Sequence, residues 1–270
     1  MLFRAERADA MTAAMVNGIS SHVLDFDDTH PDIFVHPSGP VASALLALAE
    51  QKHASGRDYL AAFVAGVEVE CRVARAVMPA HYEVGWHLTG TLGAIAAGAA
   101  AGRLIGLDPQ KLTYALGIAA TQAAGMQQNR GTSCKSLHAG KAGSSGVLAA
   151  LLAEQGFNSS EEIVEGKRGF ARIYSTEAAP EALTAELGSR WEITRNGYKP
   201  YACGVVLHPL IDAVIAAAKK AKTAPEAVQA IELQVHPHAV KITGVDNPQS
   251  GLRSEEHTSE LQSPMYLVCR

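Results

Sequence analysis

Aromatic residues and charges are both scarce in this chain. Phe, Trp and Tyr make up 6% of its 270 residues, and Asp, Glu, Lys and Arg 19%. Ala, Leu, Val and Gly fill much of the rest. Strands favour aromatic and β-branched residues, so this composition points away from a sandwich or barrel and toward closely packed helices. The net charge of −4 and pI near 6.3 give no overall pull toward nucleic acid or an anionic membrane. Four cysteines, Cys71, Cys134, Cys203 and Cys269, lie far apart with no CxxC pair. That excludes a disulfide framework and a zinc-finger pattern, and a reducing cytoplasm is the simplest location. The polar N-terminus lacks the apolar stretch of a signal peptide. The most apolar run, residues 88–102, is short, Gly-rich and ended by Arg103. It reads as a buried helix, not a membrane span. No GxGxxG or GKT-type loop is present, so nothing marks a phosphate cradle.

What is present is helical periodicity. Residues 10–24, 40–53, 57–77, 88–105, 110–126 and 142–155 are each long enough for several turns and rich in Ala and Leu. Pro40 suits a first-turn position and Gly156 a helix end. Ser159, Ser160, Glu161 and Glu162 read as a capping box opening a short helix. Gly98 and Gly102, one turn apart, read as small contacts between helices. The pattern changes near Lys199-Pro200. Residues 208–222 suit a helix, and residues 228–235 alternate apolar and polar as a half-buried strand does. The fold class is therefore mainly α, with a large helical domain over residues 1–198 and the start of a smaller α+β unit over residues 199–252. Residues 253–270 are similar to the conceptual translation of a sequencing adapter and are set aside from function.

Chemistry-bearing residues concentrate in three places. Asp25, Asp27, Asp28, Thr29, His30 and His36 fall within twelve residues, just before Pro37-Ser38-Gly39. A metal site, a metal-free acid–base site and a capped, solvated loop are all compatible with them. No EF-hand, HExxH or facial-triad spacing singles out the metal. His87 precedes Leu88-Thr89-Gly90-Thr91-Leu92-Gly93 and the helix expected there. Exposed N–H groups and the positive dipole end at such a position favour a neutral imidazole and an anionic ligand. Arg130, Lys135, His138 and Lys141 form a cationic run among small residues, ahead of the helix expected from residue 142. Such a run suits di- or tricarboxylates, though a solvated basic face has the same signature. Cys134 beside Lys135 is a weaker candidate nucleophile, because no Cys-His-Asn order accompanies it. Lys199 stands at the expected domain junction.

Several blocks in order make the chain similar to the MmgE/PrpD family. They are Asn17-Gly18 through Asp25-Phe26-Asp27-Asp28-Thr29, His36-Pro37-Ser38-Gly39, His87 with Gly90-Thr91-Leu92-Gly93, Lys135-Ser136-Leu137-His138, Gly169-Phe170, and Asn247-Pro248-Gln249-Ser250-Gly251-Leu252. The resemblance implies a helical domain with an α+β lid, a homodimer, no metal or organic cofactor, and a small di- or tricarboxylate substrate. It implies active-site positions at Asp25, Thr29, His36, His87, Lys135 and Lys199. His36 and His87 would be the acid–base groups, with Asp25 orienting an imidazole and Thr29 bonding a substrate oxygen. Lys135 and Lys199 would hold carboxylates, with His138 and Arg130 as further substrate-binding groups. Dehydration, decarboxylation or epimerisation could follow proton removal beside a carboxylate. The Lys-Ser-Leu-His-Ala-Gly block is closer to the decarboxylase and epimerase branches than to methylcitrate dehydratase. The lid tyrosine expected soon after Leu252 is replaced by the adapter-like tail, and relatives have more helix before the first block, so the chain reads as a fragment of its family's length. A non-catalytic helical scaffold and a metal-dependent hydrolase using Asp25, Asp27, Asp28, His30 and His36 are the other function classes.

Overall fold

A computed structural model of the chain describes residues 7–222, 224–244 and 265–269. The chain is mainly α, as the composition leads one to expect. Helix α1 (Ala10–His22) starts where Asp9 Oδ1 accepts from the backbone N–H of Met11 and Thr12, at 3.0 Å each. Helix α2 (Ser38–Lys52) carries Pro40 in its first turn. Ser55 opens α3 (Gly56–Val77) by accepting from Asp58 N at 3.1 Å. The short α4 (Ala80–Val84) leads to α5 (Leu88–Leu104). Asp108 caps α6 (Pro109–Ala120) through Lys111 N at 2.8 Å. Helices α7 (Ser133–Glu154) and α8 (Phe170–Tyr174) follow. Each such side-chain cap satisfies a donor that the helix cannot, and is worth about 1 kcal/mol. Later in the chain come α9 (His208–Ala221), β1 (Ile231–Val235), α10 (Pro237–Thr243) and β2 (Met265–Cys269).

By compactness the chain divides into two units. The first comprises residues 1–23, 27–129 and 134–198. Its centre is α5, where every residue from Leu88 to Gly102 is buried. One side of α5 sets Leu92 and Ile95 against Val67, Cys71 and Val77 of α3. Another sets Ala96 and Ala100 against Val41 and Leu45 of α2. A third sets Ala97 and Ala101 against Val147 and Ala150 of α7, beside Ala14 of α1. The apolar run is thus an interior helix, and among the described residues no helix is long and apolar enough to cross a membrane. Small residues allow the helices to close up. A methyl group at Gly18 of α1 would fall 2.6 Å from Gly140 Cα of α7, so only glycine fits this crossing. That contact draws the C-terminal turn of α1 onto α7.

Three expectations are corrected. Helix α7 begins at Ser133, not near residue 142, so Lys135, His138 and Lys141 lie on the helix and not ahead of it. Helix α6 stops at Ala120, and Gly125 takes φ +148°, a conformation that side chains other than hydrogen rarely adopt. Residues 159–162 form turns: Ser160 Oγ accepts from Glu162 N, a local bond that competes with helix formation.

The second unit comprises residues 24–26, 130–133 and 199–270. It holds α9, α10 and the strand expected from the alternating residues. Strand β1 pairs in parallel with β2, Ile231 opposite Met265 through Val235 opposite Cys269. Residues 265–269 belong to the segment set aside as adapter-like. A backbone ladder forms on any extended segment and does not bear on that segment's origin. The block from Asn247 to Leu252 lies outside the described residues.

Candidate functional site

In the first unit the polar loop between α1 and α2 is anchored along its length. Thr29 and Gly197 exchange backbone hydrogen bonds at 2.9 and 3.0 Å. Asp28 accepts from Ser38 N at 3.2 Å and Ser38 Oγ at 2.6 Å, and also from Asn196 Nδ2. Its negative charge thus meets the N-terminus of α2. His30 points elsewhere, with Nε2 3.1 Å from Glu192 Oε2. Glu192 in turn takes Arg75 Nε at 2.7 Å and Arg190 Nε at 2.8 Å. Burial lowers the pKa of His30 against the pull of Glu192. These contacts fix the loop to α3 and to the segment around Glu192.

So placed, the loop presents His36. Its Nδ1 is 2.8 Å from the Asp28 carbonyl and 3.0 Å from Thr29 Oγ1. A carbonyl oxygen only accepts, so Nδ1 carries the proton and the ring's acceptor is Nε2. Asp27 Oδ2 lies 3.9 Å from the same Nδ1 and 2.5 Å from His22 Nδ1. His22 is the last residue of α1, and its side chain is fully buried. Its ring centroid is 5.7 Å from that of His36 and 5.8 Å from that of His87.

His87 is the residue that precedes α5. Its backbone N–H bonds to Gly125 O at 3.1 Å, and its imidazole does not cap the helix. Instead His87 Nδ1 faces His138 Nδ1 of α7 at 2.8 Å, so one ring donates to the other. A methyl at Gly90 would collide with Ala124 O and fall 3.2 Å from His138 Cβ, so only glycine fits beside the pair. The expected neutral state of His87 holds, but for a different reason from the helix dipole. Burial is the main cause of its strongly lowered pKa, followed by the charges of His22, Lys135, His138 and His36. His138 is lowered by burial, then by His22 and Lys135. Lys141 turns along its own helix to Ser145 Oγ at 2.5 Å.

In the second unit Lys199 Nζ donates to Asp25 Oδ1 at 2.9 Å and to Asp25 O at 3.1 Å, and both residues are buried. Asp25 holds φ +49°, a left-handed turn that Asp tolerates better than most residues. Asp25 therefore accepts from an ammonium. Arg130 is half-buried in this unit.

The first unit thus brings together Thr29, His36, His87 and His138, with the Lys135 charge felt at both histidines of the pair. Of the residues of the metal reading, His30 is turned to Glu192 and Asp28 to Ser38 and Asn196, while Asp27 meets His22. It adds His22, which sequence reasoning counted among the apolar residues of its helix. The available signal was a lone imidazole in the last turn, five residues before Asp27.

The MmgE/PrpD N-terminal domain matches residues 1–183. The cis-aconitate decarboxylase of Homo sapiens is 33% identical over 215 residues, covering 77% of this chain and 44% of that protein. That of Mus musculus is 31% identical over 265 residues, 95% of this chain and 53% of that protein. That of Aspergillus terreus is 32% identical over 223 residues, 77% and 46% respectively. The chain spans about half the length of these relatives.

Proposed function

Because the chain belongs to the MmgE/PrpD family, we propose that it acts as a lyase on a small di- or tricarboxylic acid, with cis-aconitate the first substrate to test. The observation that carries this reading is the imidazole cluster of buried His22 and the buried His87–His138 pair with half-buried His36, close to the charge of Lys135. Decarboxylation breaks the C–C bond to a carboxylate. Carbon dioxide leaves, and the electron pair passes into the adjacent unsaturation before a proton is taken up at carbon. Such a reaction needs a proton donor at the carbon and cations on the remaining carboxylates. An N–H of the His87–His138 pair supplies the first, and Lys135 supplies a cation.

We assign His36 and His87 to acid–base work, Thr29 and His138 to substrate oxygens, and Lys135 to a carboxylate. Lys199 and Arg130, in the second unit, are assigned by the family resemblance to substrate carboxylates. Lys199 meets a substrate carboxylate on exchanging its bond to Asp25, which positions it until then. The reading needs no metal or organic cofactor, since imidazoles carry every proton. It includes a cytoplasmic homodimer in which the second unit is the start of a lid. The test is release of carbon dioxide from cis-aconitate by the chain and by its His87→Ala variant. Loss of an acid–base group costs about 10²–10⁴-fold, so a loss of that order is expected. Unchanged turnover in the variant removes His87 from the mechanism. Stereochemical inversion of a dicarboxylate without release of carbon dioxide moves the assignment to an epimerase.

A further inference from the structure

His22 has no part in the roles assigned above, yet its surroundings are those of a working group. Its Nδ1 lies 2.5 Å from Asp27 Oδ2. A carboxylate that only accepts fixes the proton on Nδ1. The opposite nitrogen, Nε2, is out of solvent and has no hydrogen-bond partner among the described residues. Buried polar atoms are almost always paired, and an orphan of this kind marks a place where a ligand or water completes the bond. The ring stands within 5.8 Å of both His36 and His87. The groups around it are Asp27 and His36 from the loop, His87 from the start of α5, and His138 of α7, on which its charge acts; the Lys135 charge acts on the same two histidines of the pair. Asp25 follows it by three residues in the chain.

We infer that His22, with Nδ1 fixed on Asp27, is a further positioning residue of this site, donating from a protonated Nε2 to an anionic oxygen of the ligand and acting electrostatically on His87. The inference rests on the proposed carboxylate chemistry for the identity of that ligand, but not for the coupling between the rings. The carboxylate–imidazole arrangement has a directional consequence. When Nε2 is protonated, Asp27 balances the charge on one side and a substrate carboxylate balances it on the other. The positive charge next to His87 then opposes protonation of that ring and keeps it neutral.

The test has two arms on the full chain. In the first, the histidines are labelled with nitrogen-15 and titrated by NMR without any ligand, in wild type, His22→Gln and Asp27→Asn. His22→Gln keeps a donor for Asp27 while removing the charge, so the His87 and His138 titrations move to higher pH. Asp27→Asn moves the His22 resonances themselves, because the amide no longer fixes the proton on Nδ1. In the second arm, cis-aconitate is the ligand in calorimetry and in turnover. We expect His22→Gln to weaken binding and raise KM by about tenfold or more, the size of one hydrogen bond to a charged group, with a smaller change in kcat. Wild type that neither binds nor converts cis-aconitate refutes the functional reading alone, and the first arm still decides the role of His22. Titrations of His87 and His138 that are unchanged in His22→Gln overturn the inference, as does a KM unchanged from wild type. If His22→Gln does not fold, His22 resonances that are the same in Asp27→Asn as in wild type overturn it on their own.

Discussion

The pH dependence of stability should carry the signature of one carboxyl group, Glu70. It lies on α3 with no exposed surface, and neither side-chain oxygen has a hydrogen-bond partner among the described residues. Burial, and next the negative charge of Asp28, hold its pKa well above the ordinary value of 4.5. The folded chain therefore keeps a proton on Glu70 where the unfolded chain has released it. Between the ordinary and the raised value the native state binds one proton more, so stability falls as pH rises. The slope is about 1.4 kcal/mol per pH unit. At about 2–4 °C of Tm per kcal/mol for a chain of this size, that is about 3–6 °C per unit. Glu70→Gln preserves shape and removes the titration. Thermal melts of both proteins at pH 5, 6, 7 and 8 should show the variant gaining on wild type with each step upward. Other groups titrate in both proteins and cancel in the difference. The variant's amide adds an offset that does not depend on pH. A difference in Tm that stays flat from pH 5 to 8 would refute the argument that Glu70 folds protonated.

Three other outcomes are expected. Burial lowers His81 to about 4 despite its bond to Tyr174 O. The folded state thus loses stability as pH falls from about 6.5 toward 4, at up to about 1.4 kcal/mol per unit; His81→Asn should flatten that limb of the melting curve. Asp28→Ala removes the acceptor shared by Ser38 and Asn196 and should lower stability by about 2 kcal/mol, read as a lower urea midpoint with an unchanged m-value. Turnover should be indifferent to EDTA; loss restored by an added divalent metal would favour the hydrolase reading over the lyase.

Much of the helical unit was legible because its helices are long runs rich in Ala and Leu. Gly156, read as a helix end, takes φ +88° just after α7, whereas the caps Asp9, Ser55 and Asp108 went unread. The apolar run of α5 was legible as an interior helix because it is too short and Gly-rich to be a span. What failed were positions where small polar residues serve packing. Ser133, Ser136, Gly140 and Gly143 look like a loop in sequence. In the structure they belong to a helix whose tight contacts exclude larger residues. Thr29 and His36 were found by local density, since seven residues of chain bring them together. The facing of His87 and His138 depends on 51 residues of intervening fold, and His22 gains its meaning from Asp27 and from neighbours that only folding supplies. A residue whose role is set by tertiary contact leaves no periodic trace to read.

The contact between His87 Nδ1 and His138 Nδ1 also fixes how the two rings differ. With one hydrogen between two facing nitrogens, neutral rings must adopt opposite tautomers. The ring that donates leaves a lone pair on its far nitrogen, and the ring that accepts carries an N–H on its own. An uncharged pair thus presents a base at one end and an acid at the other. Exchanging those roles requires the two rings to trade tautomers together, so a proton gained at one end is matched by one made available at the other.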